Sequence, residues 1–332
     1  MARNEWNAGA LLGLSGSYWE TCTLHAAVKL DLFSSIEGGN SRSEQIAERS
    51  GLHLRGVTTL LNALAAMGLL VKSGEVYANV EASRSLLVKS SPRYLGHMIM
   101  HHHHLVEAWS RLDQSVRSGN PVGKNVTENE AGRESFLMGM FNLAMGIAPL
   151  IAKEIDLTGR KHLLDLGGGP GTYAIHFCLE NPALKATIAD LSTTRPFAEK
   201  TVRRFNLSDR IDFVPSNYLE DDLEGQYDVA WLSHILHGEG PDGCRTIIEK
   251  AASVLEKGGN LFVHDFILDD NSDGPLFPAI FSLNMLVNTK KGRSYTESQI
   301  RTILIEAGLH NIERLSYRGP NESSILVARK PF

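Results

Sequence analysis

The spacing of apolar residues changes partway along the chain. In its first part they recur at steps of three and four, most regularly at Leu54, Val57, Leu60, Leu61, Leu64 and Met67. That spacing gives one buried face of a helix, so a helix is predicted around Leu54–Leu70, and Gly68 ends the pattern. A shorter helix is predicted over Ser43–Arg49 with Ser41 as its N-cap, and a hairpin over Val71–Tyr77 that turns at Ser73-Gly74. Helices followed by a hairpin are the element order of a winged-helix module.

After Gly159 the apolar residues form short runs, separated by segments that are long enough for a helix each. Five strands are predicted there, at His162–Leu166, Ala186–Asp190, Ile211–Val214, Val229–Leu232 and Leu261–Phe266. The alternation predicts a parallel sheet with helices on both faces. Two last strands, Ile312–Tyr317 and Ser324–Ala328, are joined by a turn at Gly319-Pro320 and predict an antiparallel edge. Between the two parts of the chain, one helix is predicted over Arg133–Ile155.

The composition is that of an ordinary globular protein, with 42% hydrophobic and 21% charged residues in 332. A formal net charge of -5 gives no support for a nucleic-acid partner. The three cysteines, Cys22, Cys178 and Cys244, lack CxxC spacing, so neither a disulfide framework nor a thiolate zinc site is expected. Met1–Ala10 is polar, and no apolar run reaches the about 20 residues that span a bilayer. We therefore expect a cytoplasmic protein with no membrane partner.

A glycine cluster follows the first predicted strand of the sheet and precedes a helix predicted over Tyr173–Leu179. Its glycines are Gly167, Gly168, Gly169 and Gly171. A dinucleotide-binding loop has the pattern G-x-G-x-x-G, and here Thr172 stands at the third glycine. S-adenosylmethionine (SAM) has no phosphate, and it carries an ammonium group and a cationic sulfonium. The acidic Asp165 beside the loop therefore favours SAM over a pyrophosphate.

The next predicted strand ends at Asp190, about 25 residues after Asp165. A carboxylate at that strand end can accept hydrogen bonds from both hydroxyls of an adenosine ribose. NAD enzymes share this feature, so it supports a nucleoside ligand without separating the two classes of cofactor. The alternative is a glycine-rich turn that binds nothing.

The chain resembles the family of small-molecule O-methyltransferases that includes plant caffeate and bacterial polyketide and carotenoid methyltransferases. The resemblance covers nearly the whole chain and rests on the order of several short motifs. They are Leu164–Gly171, Asp190, Tyr227–Ala230, Ile235–His237, Val254–Gly259, Thr296-Glu297 and Glu306–Leu309. The segments Ala26–Leu32 and Thr58–Leu70 resemble the N-terminal dimerisation domain of that family.

The resemblance implies an α/β fold, with a Rossmann-like seven-stranded SAM-methyltransferase domain and an N-terminal all-helical, winged-helix-like dimerisation domain. The implied boundaries are residues 1–110 for the dimerisation domain, 111–158 for a helical linker that contributes to the substrate pocket, and 159–332 for the catalytic domain. It implies SAM as cofactor, a homodimer formed through the N-terminal domain, and methylation of a hydroxyl group on a small aromatic or polycyclic metabolite.

The family's functional positions fall on specific residues of this chain. Those implied for the cofactor are Asp165, Gly167, Gly168, Gly169, Asp190, Leu191, Asn217, Tyr218 and Ser233. His237 matches the catalytic histidine, and a neutral histidine can take the proton of a phenol as it attacks a methyl group. Asp265 matches an acidic residue that orients this histidine. Candidate positions that line the substrate pocket are His101, His104, Met138, Phe141, Met145, Phe281 and Met285.

The chain departs from the family around the histidine. The family usually has His-Asp-Trp, whereas this chain has His237-Gly238-Glu239. A second acidic residue of the family falls at Ser294, and Glu239 is the alternative acid. Either help with the proton comes from elsewhere, or the acceptor is already anionic or strongly nucleophilic.

Three alternatives remain open from the sequence. The histidines His101–His104, with His234, His237 and His264, could assemble a metal site, although solvent-facing histidines and no bound metal are the favoured interpretation. A relative that binds SAM could catalyse a different reaction, or could methylate carbon or nitrogen. A winged-helix regulator that senses SAM is disfavoured, because Arg55 is the only basic residue of the candidate recognition helix Leu54–Leu70.

Overall fold

The computed structural model describes residues 6–36, 41–123 and 130–332. The helices, numbered α1 to α15 in chain order, are Ala8–Gly16, Tyr18–Lys29, Leu32–Ser35, Ser43–Ser50, Leu54–Ala66, Glu81–Leu87, Gly96–Trp109, Leu112–Ser118, Glu130–Met145, Ala148–Glu154, Thr172–Glu180, Arg195–Arg204, Pro241–Ser253, Leu276–Asn288 and Glu297–Glu306. The strands, β1 to β10, are Ser41–Arg42, Leu70–Ser73, Val76–Asn79, His162–Leu166, Lys185–Asp190, Ile211–Pro215, Tyr227–Ser233, Leu255–Asp265, His310–Arg318 and Ser324–Arg329.

These elements form two compact units. The first holds the described residues up to His104 together with Glu134–Asn142, and the second holds Leu105–Arg133 and Leu143–Phe332. The prediction divides the chain into three segments, with boundaries at residues 110 and 158, and this finer division stays a prediction. Within the described residues no single helix is long and apolar enough to cross a membrane, although one pair of consecutive helices passes that test when taken together.

The first unit is built of helices and a three-stranded antiparallel sheet in the order β1-β3-β2. Its core includes Phe33, Leu61, Leu64 and Tyr77, all nearly inaccessible to solvent. Leu61 and Leu64 lie on the predicted apolar face of α5, so the three- and four-residue spacing corresponds to the side of the helix that packs in the core. The predicted hairpin is confirmed, and β1 adds a third strand to a domain that was expected to be all helical.

Local details of the first unit differ from the prediction. Helix α5 ends at Ala66, two residues before Gly68, which adopts a left-handed backbone with φ +75° as the chain turns into β2. Ser41 does not cap α4, since Arg42 is the N-cap residue and its N–H donates to the side chain of Gln45 at 2.9 Å. The hairpin turns one residue later than predicted, at Gly74-Glu75, because Ser73 pairs with Val76.

The second unit contains a seven-stranded sheet in the order β6-β5-β4-β7-β8-β10-β9. Strands β4 to β8 are parallel to one another, and β10 runs antiparallel to both of its neighbours, β8 and β9. All seven predicted strands are found, and β4 matches its predicted bounds at both ends. The helix predicted over Arg133–Ile155 is two helices, α9 and α10, separated at Gly146-Ile147.

Strand β7 shows why these strands are apolar throughout rather than alternating. Val229 and Trp231 belong to a buried cluster on one face of the sheet, whereas Ala230 and Leu232 belong to the cluster on the other. Helices cover both faces, so both sets of side chains are buried. The carboxyl ends of the parallel strands therefore lie together at one edge, where an open α/β sheet binds its ligands.

Candidate active site

The glycine loop connects β4 to α11 and has an unusual backbone at three positions. Gly167, Gly169 and Gly171 have φ of +66°, +55° and +78°. A Cβ atom on Gly171 would come within 2.3 Å of Ile188, so packing alone requires glycine there. A Cβ atom on Gly169 would meet nothing within 4 Å. The loop therefore presents its backbone to open space at Gly169, which is the geometry of a ligand cradle.

Asp165 lies beneath this loop at the end of β4 and is fully buried. Its Oδ2 atom accepts a hydrogen bond from the N–H of Ala174 at 3.2 Å, whereas its buried Oδ1 atom has no partner among the described residues. Burial raises the pKa of Asp165 to about 7, and the charge of Asp190 adds to the increase. A buried, half-satisfied carboxylate is costly unless a cation or a donor joins it. The residues therefore fit the ammonium group at the amino acid end of SAM.

Asp190 ends β5 and is bound to the same loop. Its Oδ2 atom accepts a hydrogen bond from the N–H of Gly169 at 2.8 Å, and its Oδ1 atom accepts from the N–H of Leu191 at 2.7 Å. The hydroxyl of Thr194 also donates to Oδ1, at 3.0 Å. A carboxylate has about four acceptor positions, so this arrangement fixes the group and leaves it able to accept a further hydroxyl. Leu191 is half exposed beside it, at 52%.

Asn217 and Tyr218 follow β6, the next strand outward. The Oδ1 atom of Asn217 accepts a hydrogen bond from the N–H of Leu219 at 3.1 Å, which makes a local Asx turn and occupies part of the amide. Tyr218 packs against the buried cluster of the sheet. Burial, together with the negative charges of Glu239 and Asp190, raises the pKa of Tyr218, so its phenol is neutral at physiological pH.

Ser233 takes part in a buried hydrogen-bond network. Its Oγ atom lies 3.0 Å from Nδ1 of His264, and Nε2 of His264 lies 3.1 Å from Oγ of Ser323. His264 is fully buried, and burial, with the neighbouring His234, holds its pKa well below the ordinary value. Both nitrogens of this neutral ring are occupied, so His264 is a structural residue rather than a proton carrier or a ligand.

His237 and Asp265 form a close pair at the ends of neighbouring strands. His237 lies in a short 3-10 turn, Leu236–Gly238, after β7, and Asp265 is the last residue of β8. The Nδ1 atom of His237 lies 2.6 Å from Oδ1 of Asp265, and the N–H of His237 donates to Oδ2 at 3.3 Å. The imidazole stacks on Phe266 at 5.9 Å and meets the edge of Phe281 at 4.8 Å, centroid to centroid.

Asp265 is ionised although it is buried. Burial alone would raise its pKa, but the hydrogen-bonded His237 and the neighbouring His234 outweigh that effect and hold the pKa well below the ordinary value. The N–H of Phe266 also donates to Oδ1, at 2.8 Å. An ionised Asp265 accepts the hydrogen on Nδ1 of His237, which fixes the tautomer and leaves the lone pair on Nε2.

His234 is the residue whose place the sequence did not predict. Its backbone is left-handed, with φ +57°, and its Nδ1 atom lies 3.6 Å from Oδ1 of Asp265. That distance is too long for a hydrogen bond, and the atom is buried without a hydrogen-bond partner among the described residues. The sequence did name His234 as one of several possible metal ligands, but gave no sign that it shares the carboxylate of His237.

Neither Ser294, at the position of the family's second acid, nor Glu239, the alternative acid, joins the pair. Ser294 is buried, and its hydroxyl donates to the carbonyl of Pro278 at 2.9 Å. An Oε2 atom of Glu239 lies 3.3 Å from the place of a Cβ on Gly243, so its carboxylate leans toward the first turn of α13, where the helix dipole favours negative charge. Asp265 is thus the one carboxylate of the described residues that pairs with the His237 imidazole.

The positions predicted to line a substrate pocket fall in both units. His101, His104, Met138 and Phe141 belong to the first unit, and Met145, Phe281 and Met285 to the second. In the first, the His101 ring lies 5.3 Å from that of Phe136, and burial lowers the pKa of His101 to about 4. In the second, Phe281 contacts His237, Met285 is buried in α14, and the sulfur of Met145 lies 3.4 Å from Nε2 of His176.

Two domain families match the chain. An O-methyltransferase dimerisation domain matches residues 12–89, and an O-methyltransferase domain matches residues 110–310. The second match covers more than half of the chain and includes the glycine loop, His237 and Asp265.

Relatives match over nearly the full length. The chain is 30% identical over 332 residues to the tetracenomycin polyketide synthesis 8-O-methyl transferase TcmO of Streptomyces glaucescens, which covers 97% of both chains. It is 29% identical to 3-hydroxy-5-methyl-1-naphthoate 3-O-methyltransferase of Streptomyces sahachiroi, over 96% of this chain and 94% of that one. A solved O-methyltransferase family protein from Burkholderia thailandensis superposes with a TM-score of 0.89 at 28% identity, over 98% of this chain and 99% of that one.

Proposed function

The chain belongs to the SAM-dependent O-methyltransferase family, and from this premise we propose that it methylates a hydroxyl group on a planar aromatic or polycyclic metabolite, with His237 as general base. The observation that carries the proposal is the 2.6 Å contact between Nδ1 of His237 and Oδ1 of Asp265, at the same edge of the sheet as the glycine loop. Two relatives named for naphthoate and tetracenomycin chemistry support an aromatic acceptor.

The cofactor binds at the glycine loop in this proposal. SAM supplies an electrophilic methyl group when bound. Asp165 and the backbone of Gly167, Gly168 and Gly169 hold its amino acid end. The remaining predicted contacts are the ribose with Asp190 and Leu191, and the adenine with Asn217 and Tyr218. Ser233 stays a prediction of lower rank, because its hydroxyl is already paired with His264.

His237 removes the proton of the acceptor. A phenol has a pKa near 10 and is mostly protonated at neutral pH, so a base must take its hydrogen as the oxygen attacks. The lone pair on Nε2 of His237 performs this step, and the cation that forms lies beside the ionised Asp265. Phe266 and Phe281 both pack against the imidazole and restrict its orientation.

The aromatic acceptor fits the side chains around the base. Phe266 lies 4.7 Å from Phe281 and 4.9 Å from Phe277, ring to ring, and His237 contacts two of these rings. A planar ring system can stack on such a surface and bring its hydroxyl to the imidazole. Met145 and Met285 in the second unit, and His101, His104, Met138 and Phe141 in the first, remain candidate pocket residues.

We further propose a cytoplasmic homodimer formed through the N-terminal domain. Helix α1 buries none of its residues, although it is strongly apolar, and Leu11, Leu12 and Leu14 are each more than half exposed. A second copy of the chain would cover this surface, in keeping with the match to a dimerisation domain. The three cysteines are free thiols, which suits a reducing compartment.

The function is tested by incubating the purified protein with SAM and a panel of hydroxynaphthoates, hydroxyanthraquinones and simple phenols. We expect S-adenosylhomocysteine and a methyl ether in equal amounts, identified by mass spectrometry and by the position of the methyl group in NMR. S-adenosylhomocysteine with a product methylated on carbon or nitrogen would overturn the O-methyl assignment. Conversion of an acceptor without methyl gain would point instead to the non-methylating chemistry considered above.

A further inference from the structure

His234 has no part in the proposed proton transfer, yet it faces the same carboxylate as His237. Its Nδ1 atom is 3.6 Å from Oδ1 of Asp265, and Nδ1 of His237 is 2.6 Å from that oxygen. One possible ligand atom from each of the three residues, a ring nitrogen or a carboxylate oxygen, lies within 4.8 Å of the other two. The Nδ1 atom of His234 is buried and lacks a hydrogen-bond partner among the described residues. This unpartnered nitrogen thus lies beside the carboxylate oxygen that Nδ1 of His237 also contacts.

We propose that His234, His237 and Asp265 form a binding site for a divalent transition-metal ion of the Zn²⁺ type, and that the metal inhibits methyl transfer. The binding part stands on the geometry alone. The inhibitory part rests on the proposed role of His237 as base.

The donor set suits such a metal. Zn²⁺ binds histidine nitrogen and aspartate oxygen at about 2.0–2.2 Å, so two ligands of a tetrahedral ion lie roughly 3.4 Å apart. The contact of 2.6 Å between His237 and Asp265 therefore has to open, and the wider separations have to close, by roughly an ångström each. Two histidines and one carboxylate also leave coordination positions open for water or another small ligand.

The surroundings hold two of the ligands in place. The N–H groups of Phe266 and His237 donate to the two oxygens of Asp265, which orients the carboxylate. The backbone N–H of His234 donates to the carbonyl of His264 at 2.8 Å. This bond holds His234 in a left-handed backbone conformation, which residues other than glycine adopt only uncommonly. His264 cannot be a fourth ligand, since both of its nitrogens are hydrogen-bonded.

Metal binding and base catalysis exclude each other at His237. A metal on Nδ1 displaces the hydrogen that Asp265 accepts, and the neutral ring then carries this hydrogen on Nε2. No proton is lost or gained overall, but the lone pair that would receive the acceptor's proton is gone. The metal also takes the carboxylate charge that stabilises the cationic form of the ring.

The site is tested with Co²⁺, whose visible absorption reports its ligands. Full-length protein without an affinity tag is freed of metal with EDTA, dialysed and titrated with Co²⁺, and Zn²⁺ is then added as a competitor. We expect one Co²⁺ per chain, displaced by Zn²⁺. The variant His234→Asn, which suits a left-handed backbone, should bind at least tenfold more weakly. The variant His310→Gln, at an exposed histidine, should bind like the native chain.

Activity separates the two parts of the proposal. Zn²⁺ should inhibit methyl transfer in the native protein, and EDTA should restore it. In one outcome the native protein binds the metal, His234→Asn does not, and Zn²⁺ does not inhibit the native protein. That outcome supports the metal site and overturns His237 as the base. The metal site is overturned by any of three results: unchanged metal binding in His234→Asn, metal binding that is lost in a His101→Asn/His104→Asn variant instead, or no saturable metal binding. The methyl-transfer assay in metal-free buffer still decides the proposed function.

Discussion

The Oδ2 atom of Asp190 accepts a hydrogen bond from the N–H of Gly169 at 2.8 Å, across 21 positions of sequence. The bond ties the end of β5 to the loop that follows β4. The carboxylate expected to bind a ribose and the loop expected to bind an amino acid end therefore form one pre-arranged unit. Holding a loop in its binding conformation before the ligand arrives reduces the ordering cost of binding.

The glycines of this loop should fail in different ways when changed to alanine. Gly169→Ala puts a methyl group into open space on a left-handed backbone, so we expect a stability loss of about 1 kcal/mol and at least a tenfold weaker affinity for SAM. Gly171→Ala drives a methyl group to 2.3 Å from Ile188, so we expect a loss of several kcal/mol in folding stability. Thermal melts and calorimetric titration with SAM measure the two effects.

Gly74→Ala is the matched control for this comparison. Gly74 has φ +58° and open space around it, as Gly169 does, but it lies in the hairpin of the first unit. It should lose the same small amount of stability and bind SAM with native affinity. Equal SAM affinity in Gly169→Ala and Gly74→Ala would show that the cofactor does not approach the loop at Gly169.

Asp165 should destabilise the ligand-free protein at neutral and alkaline pH. Its pKa is about 7 in the folded chain against 3.8 ordinarily, so the folded state binds more protons between those values and stability falls as pH rises through that window. Asp165→Asn removes this effect, which amounts to at most about 4 kcal/mol. We expect the variant to gain stability relative to the native chain between pH 5 and pH 8, and to bind SAM more weakly.

Urea unfolding at the two pH values, without SAM, measures this difference. Asp228→Asn is a control, because Asp228 lies near the opposite end of the sheet and accepts hydrogen bonds from the N–H groups of Lys161 and His162. A native-minus-variant difference that is the same at pH 5 and pH 8 would rule out a titrating Asp165.

His237 and Asp265 should affect turnover and leave cofactor binding intact. His237→Asn removes the base, and we expect kcat to fall roughly 10²–10⁴-fold. Asp265→Asn preserves the shape but removes the charge that fixes the tautomer, and we expect a loss of at least roughly tenfold in kcat. S-adenosylhomocysteine affinity by calorimetry should stay within about twofold of native in both variants.

His310→Gln serves as the control for a histidine change on the surface. It should keep native kcat. If His237→Asn and His310→Gln both keep a native kcat with a phenol acceptor, then the acceptor loses its proton without the help of His237.

The exposed apolar residues of α1 and of the first turn of α2 should hold the dimer together. Leu12 and Trp19 are 73% and 67% exposed in the single chain. We expect Leu12→Asp combined with Trp19→Ser to convert a species of twice 36.5 kDa into one of 36.5 kDa in light scattering. Leu276→Asp, at a residue 70% exposed in the second unit, is the control and should leave the mass unchanged. A native protein that already scatters as one chain would refute the dimer.

The sequence predicts the second unit well because its strands are buried on both faces. Runs such as His162–Leu166 stand out from the helices around them, and the glycine loop is defined by residues next to one another in the chain. The pairing of His237 with Asp265 came only from the family resemblance, since 28 positions separate them. Nothing local in the sequence indicates that the ends of β7 and β8 meet.

Other features depend on backbone angles and on contacts that a pattern of residue types does not contain. The left-handed backbone of His234 turns its ring toward Asp265, although histidine has no preference for that conformation strong enough to predict it. Ser323 closes the network of His264 from 59 positions away. Serine is a common N-cap residue, but Ser41 lies in β1, where it pairs with Tyr77 of β3, and Arg42 is the N-cap of α4 instead.

Strand β10 enters the sheet between two strands that precede it in the chain. Its first residues, Ser324 and Ile325, pair with Asp265 and His264. During synthesis on a ribosome, the edge of β8 that pairs with β10 therefore stays unpaired until the residues after Glu322 have emerged. The end of β8 that carries Asp265 therefore gains its neighbour on this side only after translation of nearly the whole described chain.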